Sequence, residues 1–258
     1  VPPQTAARRR LPGRTPFSFP RLAAADELEI ALPSPGLSIA RPLEELRLDI
    51  DPVRLLNVAA ALLLLVLAAP VMAIVAVLVK LTSRGPVIFR QTRVGVDRRS
   101  PGNAGRWRRT FDYGGRLFTM YKFRTMRAEG DDRLQVWAQP DDPRVTPLGR
   151  VLRKYRLDEL PQLVNVLRGD MNLVGPRPEQ PRIFAELRDQ VDRYAERQRV
   201  LPGITGWAQV RQPYDRSVDD VRGKVRLDLE YIATRSVRRD MEILLRTVPA
   251  VLLRRGGW

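Results

Sequence analysis

The chain has 258 residues, 44% of them hydrophobic and 29% charged, enough for one sizeable core. It contains neither cysteine nor histidine, which excludes disulfides, thiolate or imidazole metal sites, a cysteine nucleophile and a Ser-His-Asp triad. A formal net charge of +16 implies an anionic partner, whether nucleic acid, a phosphorylated metabolite or an anionic membrane surface.

Residues 1–50 carry 8 of the 22 prolines and show no sustained apolar period, so they are expected to be extended or mobile. No apolar run follows Arg8-Arg9-Arg10, and no secretory signal is expected there. From Val58 to Val79 the chain is apolar except for Pro70, a run of 22 residues. As a straight helix it would reach ~33 Å, enough to cross a bilayer core. Two features argue against simple spanning. Pro70 in the middle deletes a backbone hydrogen bond and kinks a helix. Basic residues flank both ends, with Arg41, Arg47 and Arg54 before and Lys80, Arg84, Arg90 and Arg93 after, so neither end is marked as the cytoplasmic one. The pattern predicts a segment that enters, bends at Pro70 and returns to the same face.

Pro86 to Gln91 predicts a short strand, and Leu117 to Met126 a second one. Asp97 to Gly115 between them is polar and rich in Gly and Arg, as expected of a loop. Pro140 to Pro147 is a turn-rich linker, and Leu148 to Arg156 has helical spacing. Pro161 to Arg168 predicts a short helix with proline at its start and Gly169 at its end. Helices are also predicted over Ile183–Val200, Val221–Thr234 and Met241–Leu253. The fold class is α+β: a small mixed domain of amphipathic helices and a short β-hairpin, carried on the apolar helix.

With histidine and cysteine absent, acid, base or nucleophile must come from a carboxylate, lysine, tyrosine or hydroxyl. A metal would be a hard one held by oxygen, magnesium or calcium. Asp158-Glu159 falls at a predicted helix start, where free N–H groups and the helix dipole favour ionised carboxylates. Such a group suits a nucleophile or a magnesium ligand, although acidic residues are also common at ordinary helix starts. In Gly175-Pro176-Arg177-Pro178 two prolines hold one arginine in extended backbone, which suits a phosphate clamp as well as a surface turn. Strand alternation puts Lys122 and Arg124 on one face as a basic shelf or a plain solvated face. Gly203 and Gly206 around Thr205 predict a tight loop approaching a ligand or another backbone.

Taken in order, six strings resemble the bacterial sugar transferase family, the monotopic phosphoglycosyl transferases. They are the apolar segment with Pro70; Phe89-Arg90-Gln91-x-Arg93-x-Gly95; Tyr121-Lys122-Phe123-Arg124-Thr125-Met126; Asp158-Glu159-Leu160-Pro161-Gln162-Leu163; Gly169-Asp170-Met171 leading to Gly175-Pro176-Arg177-Pro178; and Pro202-Gly203-Ile204-Thr205-Gly206-Trp207. The resemblance runs from about Val53 to the C-terminus. It implies transfer of a hexose-1-phosphate from a UDP-sugar to undecaprenyl phosphate with release of UMP, initiating exopolysaccharide, O-antigen or other glycoconjugate assembly. It also implies Asp158 as nucleophile through a covalent phosphosugar, Glu159 as its partner near Mg2+, and Lys122, Arg124, Arg177, Gly203 and Thr205 around the substrate. On this resemblance residues 51–82 form a re-entrant helix bent at Pro70 in the bacterial inner membrane, and residues 83–258 a catalytic domain facing the cytoplasm. Inner-membrane lipid and a homodimer are compatible partners; nucleic acid is not expected. Many relatives have serine before that proline, where this chain has Ala69. The competing expectations are a membrane-tethered basic protein that binds nucleic acid or anionic lipid, and a scaffold with the fold but no turnover. An intact Asp158-Glu159 pair disfavours the scaffold.

Overall fold

A computed structural model of the chain describes residues 52–97, 114–127, 142–212 and 217–252. The expected N-terminal extended segment and most of the predicted 97–115 loop lie outside these residues. Helix α1 (Pro52–Thr82) opens with proline in its first turn, where the missing N–H costs nothing, and runs on through Pro70. At 31 residues it measures ~46 Å. Its most apolar 18-residue window has a mean hydropathy of 3.1 and is only 11% buried, unlike a core helix of a soluble domain. Leu62, Leu63, Val66, Leu67, Ile74 and Val77 all stand more than half exposed.

Both ends of α1 are nevertheless fastened to the rest of the molecule. Near its start, Arg54 donates to the carbonyls of Met171 (3.0 Å) and Val166. Asn57 is 4% exposed and accepts the Leu173 N–H at 2.7 Å. At the far end Arg124 donates to the Ser83 carbonyl (2.6 Å) and to the carbonyl of Pro86. Val75 and Val79 pack there against Phe123 and Leu152.

Strands β1 (Ile88–Val94) and β2 (Leu117–Phe123) pair antiparallel, with Ile88 opposite Phe123 and Val94 opposite Leu117. β1 thus extends further than the expected Pro86–Gln91, and β2 stops before the expected Met126. At Arg124 the backbone N–H still bonds the carbonyl of Val87 opposite it, while the side chain turns to the end of α1. Helix α2 (Pro147–Lys154) is capped by Thr146, whose hydroxyl accepts the Gly149 N–H. A single 3-10 turn (Leu157–Glu159) leads to α3 (Gln162–Arg168), which ends on Gly169 at φ 84°, as its sequence predicts. Strand β3 (Asn172–Val174) then pairs in parallel with β4 (Gly203–Thr205). Three-residue strands are too short for a periodicity, so the sequence carries no signal for β3.

The expected Ile183–Val200 helix is two pieces: α4 (Pro181–Gln190) and a 3-10 segment (Tyr194–Arg199). Between them Arg193 takes φ 60°. The break lets Tyr194 turn inward onto Phe184, ring centroids 5.3 Å apart. Full burial of a ring such as Phe184 contributes about 1.5–3 kcal/mol, enough to outweigh one residue of left-handed strain. Helices α5 (Trp207–Arg211), α6 (Val218–Thr234) and α7 (Val237–Leu252) complete the chain. The main core joins Met120 of β2, Val166 of α3, Leu173 of β3, Trp207 and Tyr231 with Ala61 of α1.

Candidate active site

Leu157 and Leu160 flank the acidic pair and pack on the cluster of Val75, Val79, Phe123 and Leu152. The 3-10 turn is thereby pinned beside the last turns of α1, with Asp158 7% and Glu159 6% exposed. The residue that turns the chain into it, Arg156, sits at φ 52°. A left-handed conformation costs a non-glycine residue roughly 1–2 kcal/mol, and the packing of the two leucines offsets it.

Glu159 lies within a ring of cations. Arg177 Nη2 donates to its Oε1 at 2.8 Å, Lys122 Nζ lies 3.5 Å from the same oxygen, and Arg156 Nη1 is 3.7 Å from Oε2. Burial pushes the Glu159 carboxyl up, but Arg177, Lys122 and Arg156 together outweigh it and hold the group well below the usual carboxylate range. Asp158 differs: no described side chain hydrogen-bonds or ion-pairs with it. Burial, opposed by Lys122 and reinforced by the Glu159 charge, raises its carboxyl above the ordinary value. Adjacent residues thus hold one committed anion and one uncommitted carboxyl, a division found where two acids have separate roles. Helix-start stabilisation does not explain it. Helix α3 begins only at Gln162, and Glu159 owes its charge to side chains from β2, the preceding loop and the Arg177 segment.

Three of the other anticipated residues lie elsewhere. Lys122 and Arg124 form no common shelf, because Lys122 reaches Glu159 while Arg124 is taken up by carbonyls at the end of α1. Arg124 is 6% exposed and donates to Ser83 and Pro86 at the end of α1. Gly203 approaches another backbone: a Cβ there would stand 2.1 Å from the Gly175 nitrogen. The Thr205 hydroxyl meets that of Thr247 on α7 at 2.8 Å. Arg177 and Lys122 do converge on Glu159. Sequence reasoning misses Arg156, since a left-handed arginine leaves no mark in the sequence.

Among the described residues no group of three or more acidic side chains gathers around one point. The donors do fit magnesium held jointly with a diphosphate, because that ion is commonly bound by one or two carboxylates plus phosphate oxygens and water. Arg156 approaches Glu159 Oε2 only to 3.7 Å, whereas Arg177 holds Oε1 at 2.8 Å. Oε2 is therefore the better placed oxygen for a ligand role.

Residues 52–254 match the family model described as bacterial sugar transferase. The chain is 42% identical over 213 residues to a UDP-glucose:undecaprenyl-phosphate glucose-1-phosphate transferase of Caulobacter vibrioides, covering 82% of this chain and 73% of that one. It is 41% identical over 197 residues to a UDP-N-acetylgalactosamine-undecaprenyl-phosphate N-acetylgalactosaminephosphotransferase of Aeromonas hydrophila, covering 76% of this chain and 43% of that one. A UDP-glucose:undecaprenyl-phosphate glucose-1-phosphate transferase of Escherichia coli is 40% identical over 194 residues, 74% of this chain and 38% of that one. The chain therefore spans under half the length of the last two relatives. The matched region begins at the first residue of α1 and takes in the cation-ringed acidic pair, so the chain belongs to the bacterial sugar transferase family.

Proposed function

We propose that this chain transfers a sugar-1-phosphate from a UDP-sugar to undecaprenyl phosphate through an acyl-phosphate intermediate, a phosphosugar carried on the Asp158 carboxylate. The observation that carries the proposal is the uncommitted Asp158 beside a Glu159 held anionic by three cations. An Asp158 oxygen attacks the β-phosphorus of the UDP-sugar, the bond from that phosphorus to the bridging oxygen breaks, and UMP leaves. A phosphate oxygen of undecaprenyl phosphate then attacks the same phosphorus, and the Asp158 oxygen leaves as carboxylate. Splitting one displacement into two lets a soluble and a membrane-lodged substrate use the same carboxylate in turn. Lys122 and Arg177 face the charge that builds on the phosphates, and Arg177 can exchange its Glu159 contact for a phosphate oxygen with the same fork. Glu159, with the phosphate oxygens, would hold magnesium. The ion, when bound, would offset the diphosphate charge that repels an attacking carboxylate.

The same reading places α1 as a re-entrant segment turning at Pro70 in the bacterial inner membrane. The catalytic domain would face the cytoplasm, and the product would start a cell-surface glycan. Its support is that hydrogen bonds from both ends of α1 reach one folded domain, while Leu62, Leu63, Val66, Leu67 and Ile74 between them leave an apolar face exposed. Proline deletes one hydrogen bond to the preceding turn, which permits the bend without ending the helix. A homodimer remains compatible.

Mass spectrometry tests the central step. With UDP-sugar alone the protein should gain the mass of one sugar phosphate, and undecaprenyl phosphate should remove it. Asp158→Asn should form no adduct and lose UMP release by about a thousandfold or more. Full turnover in Asp158→Asn, or an adduct located on another residue, would refute the assignment.

A further inference from the structure

Arg177 reaches Glu159 from a segment that cannot be held like ordinary backbone. Pro176 and Pro178 on either side have no N–H to give to a ladder, so only carbonyls are left to fix it on both flanks. Each carbonyl from Pro176 to Glu179 does receive a donor. Pro176 accepts the Gly203 N–H at 3.0 Å, and Glu179 the Val94 N–H at 2.9 Å. Between them the donors are side chains: Arg197 Nη2 gives to the Arg177 carbonyl at 2.9 Å and Arg93 Nη1 to that of Pro178 at 3.0 Å.

These two guanidiniums are themselves anchored. Arg197 is 3% exposed and donates to Asp228 at 2.7 Å and to the Tyr194 hydroxyl at 2.9 Å. Glu179 lies 3.9 Å from both Arg93 and Arg197, and Lys224 donates to it at 2.8 Å. The network ties β1, the 3-10 segment and α6 to the two carbonyls that set where the Arg177 side chain starts. A buried ion pair of this kind adds little net stability, since its desolvation cost rivals its attraction.

We infer that Arg93 and Arg197 are positioning residues for Arg177, acting on the reaction through where they hold its backbone. The inference rests on Arg177 meeting the substrate diphosphate, as proposed above. It differs from a purely structural role in one respect: once Arg177 is gone, the two residues have nothing left to position.

A double-mutant cycle on the whole, detergent-solubilised chain separates the cases, read by kcat/KM for UMP release and by UDP affinity in calorimetry. Arg93→Gln should lower both about tenfold with Arg177 present, and by no more than about twofold in an Arg177→Gln background. Arg197→Lys, which keeps a cation for Asp228 but cannot fork to three acceptors, should show the same dependence on Arg177. Should that buried variant fail to fold, Arg93→Gln decides alone. Equal losses in both backgrounds, or no loss with Arg177 present, would overturn the inference while leaving the proposed function intact. A wild-type chain that neither binds UDP nor releases UMP would remove the proposed function, and this inference with it.

Discussion

Lys122 is a side chain whose charge the site brings toward neutral pH. Burial lowers its ammonium from 10.5 to about 8, although Glu159 pulls the other way. The lysine is therefore charged below about pH 8 and loses its charge as the pH rises through that value. If that charge steadies the diphosphate, kcat/KM for UMP release should fall above about pH 8. Lys122→Arg, which stays protonated throughout, should move this basic limb upward. A limb that stays in place in the variant would show that another group sets it. Arg124, two residues on, carries the same formal charge and does something different. Strand alternation joins it to Lys122, but its side chain meets different acceptors. Its guanidinium instead closes the end of α1 through the carbonyls of Ser83 and Pro86. Residue type and spacing mark both as cations of interest; only the acceptors within reach of each separate them.

At the scale of elements, the acidic pair is placed by short pieces rather than by long ones. The turn bearing Asp158 is three residues long, and so are β3 and β4, which set where the Arg177 segment begins. Their close packing makes glycine obligatory at particular points. Gly203→Ala would drive a methyl to 2.1 Å from the Gly175 nitrogen, so β3 and β4 must part. A loss of about 3 kcal/mol is expected. Gly169→Ala meets nothing nearer than Arg54 Nη2 at 3.6 Å and bears only the strain of φ +84°, about 1 kcal/mol. Thermal or denaturant unfolding of the two variants should rank them in that order. The reverse order would mean that β3 and β4 do not meet as described. The helix over Gln162–Arg168 is legible because proline and glycine punctuate it, whereas the split between α4 and the Tyr194–Arg199 segment has no such punctuation. There a buried tyrosine ring outweighs local propensity.

For the molecule as a whole, α1 poses a topological question. A helix of 31 residues could cross a bilayer, yet both of its ends bond to the same domain. The chain has no native cysteine, so single cysteines introduced at Arg47 and Arg84 report cleanly. In sealed vesicles both should react with a membrane-impermeant maleimide from one face. Reaction from opposite faces would establish a spanning helix and end the re-entrant proposal. The large positive charge takes on a different meaning at this scale as well. Lys122, Arg177 and Arg197 face inward onto Glu159 and Asp228, so part of the basic excess serves buried acids rather than a nucleic-acid surface.

Composition and local strings suffice for the chemical class and the family. The lack of histidine and cysteine narrows the reactive groups, the apolar run requires a membrane or a large apolar contact, and six ordered strings single out one family. Those features need no partner from elsewhere in the chain, so they survive in one dimension. Which carboxylate is committed and which is free emerges only on folding, because it depends on cations arriving from β2, from the left-handed Arg156 and from the Arg177 segment. Folding likewise turns Arg124, Gly203 and Thr205 to packing, and brings Arg93 and Arg197 behind Arg177. Arg156 apart, partners 18 to 85 positions away set these roles, and no spacing rule along the chain reports such distances.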